Sequence, residues 1–138
     1  MIGVLVVTHG SIGEALLASA TQILGNAQPQ TATLSVWCQD DPDDLVLRAR
    51  ELLDTLDAGD GVLVITDIFG ATPGNVVSRL LEDGKVEGVS GASLPMLLRV
   101  LTSRNGSQGN KLRAAVQRAL SGGAEGVVHM NSDRCLDG

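Results

Sequence analysis

The chain has 138 residues, 43% of them hydrophobic, which suits one domain with a sizeable core. Its 16 acidic and 10 basic residues leave a formal net charge of −6, which argues against binding a nucleic-acid backbone. One Phe, one Trp and no Tyr make the core aliphatic and argue against stacking on single-stranded bases.

A basic protein partner is compatible with this charge. No apolar run approaches the ~20 residues of a membrane span. The N-terminal apolar run is short and has no basic leader, so neither membrane insertion nor a signal peptide is expected. Cys38 and Cys135 are far apart, with no metal-ligand spacing and no disulfide framework. They read as free thiols of a cytoplasmic protein.

Apolar strands alternate with amphipathic helices, the pattern of an α/β fold with a parallel sheet. The first strand is expected from Ile2 to Thr8. A helix follows from Ile12 to Leu24, with Ser11 as N-cap and Gly25-Asn26 as its stop. Thr31 to Trp37 reads as the second strand. Asp41 then caps a helix with Pro42 at its first position. Val62 to Thr66 is apolar throughout, as in a strand buried on both faces.

Thr72 and Pro73 are expected as N-cap and first residue of a third helix reaching Leu81. A weaker strand covers Val86 to Ser90, and Ser93-Leu94-Pro95 opens a helix to Thr102. Ser103 to Gly109 reads as a loop, Lys111 to Leu120 as a helix, and Gly126 to Met130 as a last short strand. The domain is thus expected over residues 1–130, with a polar tail at 131–138.

His9 ends the first strand, and α/β proteins do their chemistry at the carboxyl ends of parallel strands. A neutral imidazole is a nucleophile when one nitrogen is free and the proton on the other is held. A carboxylate accepting that N–H fixes tautomer and orientation. Asp67 ends the third strand and supplies the carboxylate if the first and third strands are neighbours.

Two helix starts, Gly10-Ser11 and Gly70-Ala71-Thr72, offer backbone N–H groups and hydroxyls to an anion beside His9. Gly91 to Met96 lies on the same edge, as a cleft wall or a plain helix start. His129 reads as structural. The acidic cluster of Asp40, Asp41, Asp43 and Asp44 reads as helix capping and solvated charge, not as a metal site.

These residues resemble the IIA component of the mannose family of the bacterial phosphoenolpyruvate-dependent sugar phosphotransferase system. The resemblance rests on Thr8-His9-Gly10, on Asp67-Ile68-Phe69-Gly70-Ala71-Thr72-Pro73 and on Gly91-Ala92-Ser93-Leu94-Pro95-Met96-Leu97. It implies a doubly wound α/β fold with a mainly parallel sheet and helices on both faces. It also implies a homodimer that exchanges an antiparallel C-terminal strand.

Under the resemblance, His9 accepts a phosphoryl group on Nε2 from the phosphocarrier protein HPr and passes it to a IIB domain. Asp67 orients His9, while Gly10, Ser11, Thr66, Gly70, Ala71 and Thr72 surround the phosphoryl oxygens. No cofactor or metal is called for, because helix N-termini and hydroxyls meet the phosphate charge. Ala71 and Ser93 stand where the family has Gly and Asn. No IIB domain follows, so IIB is expected on a separate chain, with membrane association only peripheral, through a permease complex.

Other outputs stay open at this point: a stand-alone regulatory phosphoacceptor, a phosphodonor subunit for a dihydroxyacetone kinase, or a flavodoxin-like ligand-binding module. A receiver domain needs an acidic pair after the first strand, where Thr8 and His9 stand. A histidine phosphatase needs Arg directly before its histidine, where Thr8 stands.

Overall fold

The described strands all end at one edge of one sheet. The computed structural model describes residues 1–104 and 111–133. Strands β1 (Gly3–His9), β2 (Thr31–Val36), β3 (Val62–Thr66) and β4 (Val86–Val89) pair in the order β2-β1-β3-β4, all parallel. The helices are α1 (Ile12–Leu24), α2 (Pro42–Leu56), α3 (Thr72–Ser78), α4 (Leu94–Ser103), α5 (Lys111–Glu125) and α6 (Met130–Asp133).

Side chains alternate across the pleat, so each central strand feeds two cores. Val4, Val6, Leu63 and Ile65 pack with Ala20 of α1, Val100 of α4 and Ala119 of α5. Leu5, Val7, Val62 and Val64 pack on the other face with Leu45 and Ala49 of α2 and Val76 and Val77 of α3. This is the doubly wound arrangement that the family resemblance implies. The unbroken apolar run of β3 is buried on both sides, as its sequence requires.

The connection from β1 leads out to β2, and the chain then crosses back over β1 to β3. Strand order therefore reverses between β1 and β3. In open α/β sheets a ligand crevice lies at that reversal, outside the carboxyl ends of the strands. Val7 pairs with Thr66, so Thr8 and Asp67 stand level and His9 is one residue beyond.

Several boundaries differ from the sequence expectation. Helix α3 stops at Ser78 rather than Leu81, because Arg79 N–H and Leu80 N–H turn back to Val76 and Val77 three residues earlier. Helix α5 runs past Leu120 to Glu125. Gly122 lets it close on α4, since a Cβ there would meet Met96 Cα at 3.2 Å and Pro95 O at 3.3 Å.

Gly126 to Met130 forms no strand within the chain. Gly126 N–H still bonds Gly122 O, as in a helix, and residues 127–129 are irregular and exposed. Part of the expected tail is ordered: His129, which lies outside any strand, bonds Ser132 through its ring, and Met130–Asp133 is one helical turn. The loop expected after Ser103 and the tail beyond 133, with Cys135, lie outside the described residues.

Candidate functional site

Asp67 is saturated with hydrogen bonds, and two of them fix His9. Its Oδ2 accepts from the His9 backbone N–H at 3.1 Å and lies 2.8 Å from His9 Nδ1. Its Oδ1 accepts from Ile68 N–H at 3.0 Å and from the Thr66 hydroxyl at 3.4 Å. A carboxylate only accepts, so the shared proton sits on Nδ1, and in the neutral ring Nε2 keeps its lone pair. Burial raises the Asp67 carboxyl, but the His9 ring and backbone bonds outweigh it and hold the group below the usual range. It is an anion at neutral pH.

The His9 ring is half exposed, while the Asp67 side chain is mostly covered. The ring is thus reachable from solvent, and the carboxylate that holds it is shielded. An anionic carboxylate behind Nδ1 also stabilises positive charge that develops on the ring when Nε2 forms a bond.

Gly10 follows at φ +49°, a left-handed conformation that glycine adopts without a steric cost. Its N–H bonds Val36 O at 2.9 Å, so the turn after His9 is tied to β2. Ser11 occupies the N-cap position of α1 but makes no capping bond through its side chain. Thr8 caps the helix instead: its Oγ1, fully buried, accepts Gly13 N–H at 2.7 Å. Gly13 permits this approach, because a Cβ there would meet that hydroxyl at 3.1 Å. The exposed Ser11 hydroxyl faces no competing cap.

On the other side of the crevice, the N-cap of α3 is Ala71, not Thr72. Thr72 is the first helical residue and is exposed. Gly70 turns at φ +90° and delivers the chain to that N-terminus. Thr66 is buried, with its hydroxyl on Asp67 rather than in the crevice. Its carbonyl accepts Ala92 N–H at 3.0 Å, which ties the loop before α4 to the site edge. Ser93 in that loop caps α4 by accepting Met96 N–H at 3.3 Å.

Residues 3–117 match the family model described as PTS system fructose IIA component, EIIA-man. The chain belongs to this family. The mannose-specific EIIAB component of Escherichia coli K12 is 30% identical over 127 residues, 91% of this chain but only 38% of that protein's length. The fructose-specific EIIA component of Bacillus subtilis is 30% identical over 105 residues, 75% of this chain and 71% of that one. The EIIA crystal structure from Streptococcus agalactiae superposes with a TM-score of 0.83 at 26% identity, covering 96% of this chain and 99% of that one. A mannose/sorbose IIA subunit from Enterococcus faecalis, at 22% identity and a TM-score of 0.77, shares the fold.

The EIIA match spans both His9 and Asp67, and the family implies phosphotransfer. Among the described residues of this EIIA chain, no helix is long and apolar enough to cross a membrane. The acidic cluster is engaged locally. Asp41 accepts Asp43 N–H as the N-cap of α2, Asp40 accepts Trp37 N–H at 2.8 Å, and Asp43 pairs with Arg79.

Two features of the EIIA site have little signature in the sequence. Thr8 contributes a cap hidden one residue before His9, for which the only signal is the glycine at position 13. Trp37 lies against Gly10: a Cβ on Gly10 would meet the indole Cζ3 at 3.2 Å. Nothing in the local pattern of β2 announces that contact.

Proposed function

We propose that this protein is a phosphohistidine carrier that accepts a phosphoryl group on His9 Nε2 from HPr and delivers it to a IIB domain. The observation that carries the reading is the single Asp67 oxygen bound by both His9 groups, which leaves Nε2 as the outward nucleophile.

In the transfer, the Nε2 lone pair attacks phosphorus in line with the P–N bond of the HPr phosphohistidine. That bond breaks, and its electron pair returns to the HPr ring. The Nδ1 proton stays on His9 and faces the Asp67 anion, which balances the charge gained by the ring. Little is asked of the protein beyond positioning and charge stabilisation. The α1 N-terminus behind Gly10 and Ser11 presents its positive dipole end to the phosphoryl oxygens. Gly70, Ala71 and Thr72 do the same from α3, and Thr66 acts through Asp67. The reverse attack, by a IIB histidine, discharges the group.

The protein works in the cytoplasm as a homodimer. Val127 and Met130 are 85% and 78% exposed after the end of α5, and a second copy that takes this segment as an exchanged strand would cover them. Light scattering at micromolar concentration tests this, and a monomer would remove the exchange.

The carrier reading is tested by labelling with radioactive phosphoenolpyruvate, enzyme I and HPr. Wild type should take up acid-labile, base-stable phosphate and His9→Ala none. Label retained in His9→Ala would refute it.

A further inference from the structure

The chain has one Trp and one Phe in 138 residues, and both flank His9. Trp37 follows β2 and Phe69 follows β3, the strands on either side of β1. In a protein with an aliphatic core, neither aromatic helps fill it. Trp37 is 51% exposed and Phe69 is 77% exposed. Large apolar side chains held at the surface on both sides of a nucleophile mark a contact surface rather than a core.

Trp37 is also rigid. Its backbone N–H bonds Asp40 Oδ2 at 2.8 Å, and Asp40 N–H bonds the Trp37 carbonyl at 3.0 Å. The benzo edge of the indole rests on Gly10. A half-exposed aromatic already fixed on both backbone and ring loses little entropy when a partner covers it. The surroundings carry one dominant charge. Asp40, Asp41 and Asp44 line the adjoining groove with Arg48 as its cation, on a chain of net charge −6.

We infer that Trp37 is a partner-recognition residue of the transfer site, where it docks a protein phosphocarrier whose phosphohistidine lies in an apolar patch edged by Lys or Arg. This rests on the carrier reading above and adds to it the residue that selects the donor. The apolar patch would cover Trp37 and Phe69, which excludes water from the reacting nitrogens, and the basic edge would meet Asp40, Asp41 and Asp44.

The test compares a protein donor with a small one. Wild type, Trp37→Ala and Trp37→Phe are phosphorylated either by phospho-HPr or by phosphoramidate, which transfers to histidine without docking. For Trp37→Ala, KM for phospho-HPr should rise about tenfold or more, with kcat and the phosphoramidate rate unchanged. Trp37→Phe should recover most of the loss. If Trp37→Ala slows both donors equally, the indole only supports the Gly10 turn and the docking role is wrong. Unchanged kinetics with phospho-HPr would also overturn it. Wild type labelled by phosphoramidate but never by phospho-HPr would instead bring down the carrier reading, and the docking surface with it.

Discussion

His9 and Asp67 meet through one oxygen: Asp67 Oδ2 receives the His9 backbone N–H and faces His9 Nδ1 at 2.8 Å. The two contacts close a rigid link between the ends of β1 and β3. The ring can neither rotate away nor change tautomer without disrupting this link. Orientation is therefore built into the sheet edge and does not wait for a substrate.

Asp67→Asn keeps an acceptor for both His9 groups but loses the negative charge. The fold should persist, and transfer from phospho-HPr should slow by about 10²-fold. Asp67→Ala removes the acceptor as well and should fall further, with a lower Tm from the orphaned His9 N–H. Rapid-quench measurement of phosphoryl transfer, with thermal melts alongside, checks the order. Equal rates in wild type and Asp67→Asn would remove Asp67 from the mechanism.

The same pair predicts a pH dependence of stability. The Asp67 carboxyl sits below its usual range in the folded protein. Its contribution is full above the unfolded carboxyl value of about 4 and is lost as pH falls through the lower folded value. The Tm advantage of wild type over Asp67→Asn should thus be largest near neutrality and shrink below about pH 4. An advantage that grows on acidification would contradict the assignment.

Gly10→Ala brings two costs together. An L side chain at φ +49° is strained by roughly 1–2 kcal/mol, and its Cβ would press on the Trp37 ring at 3.2 Å. The variant should lose several degrees of Tm, and labelling of His9 should slow because the turn that presents the ring is displaced. A double variant with Trp37→Ala should recover part of the stability, since it removes the clash and leaves only the φ strain. Full additivity of the two changes would show that the contact carries no energy.

Arg104 predicts an effect on stability alone. It is 4% exposed, and burial pushes its guanidinium down without neutralising it. It donates to Ile2 O and Gln30 O at 3.3 Å each and to Pro29 O, which ties α4 to the strand ends opposite the site. Arg104→Met should cost about 2–3 kcal/mol, since carbonyls that accept from a charged donor are left without it. Denaturant melts should show this, while labelling of the remaining folded protein proceeds at the wild-type rate.

Sequence is most legible where the physics is local. Ile2 to Thr8 and Val62 to Thr66 are uninterrupted apolar runs, so they reveal the strands, their burial and the residues just past them, His9 and Asp67 included. The capping chemistry is less open to reading. Ser11 and Thr72 have the right side chains in the right places, yet Thr8 caps α1 across five residues and α3 begins at Ala71.

Within one chain the expected C-terminal strand does not form. Val127 and Val128 favour a strand, but the packing of Gly122 on α4 extends the helix to Glu125, and this chain's own sheet does not pair with residues 127–129. Arginine is rarely buried, so nothing in the sequence marks Arg104, and only the fold brings three carbonyls to it.

Phosphate on one nitrogen of one histidine is what distinguishes a His9 carrier, and phosphorus NMR of the protein after treatment with phosphoenolpyruvate, enzyme I and HPr reads that nitrogen. Wild type should give a single Nε2-phosphohistidine resonance that is absent in His9→Ala. An Nδ1-phosphohistidine signal, or a phosphohistidine signal that survives in His9→Ala, would contradict it.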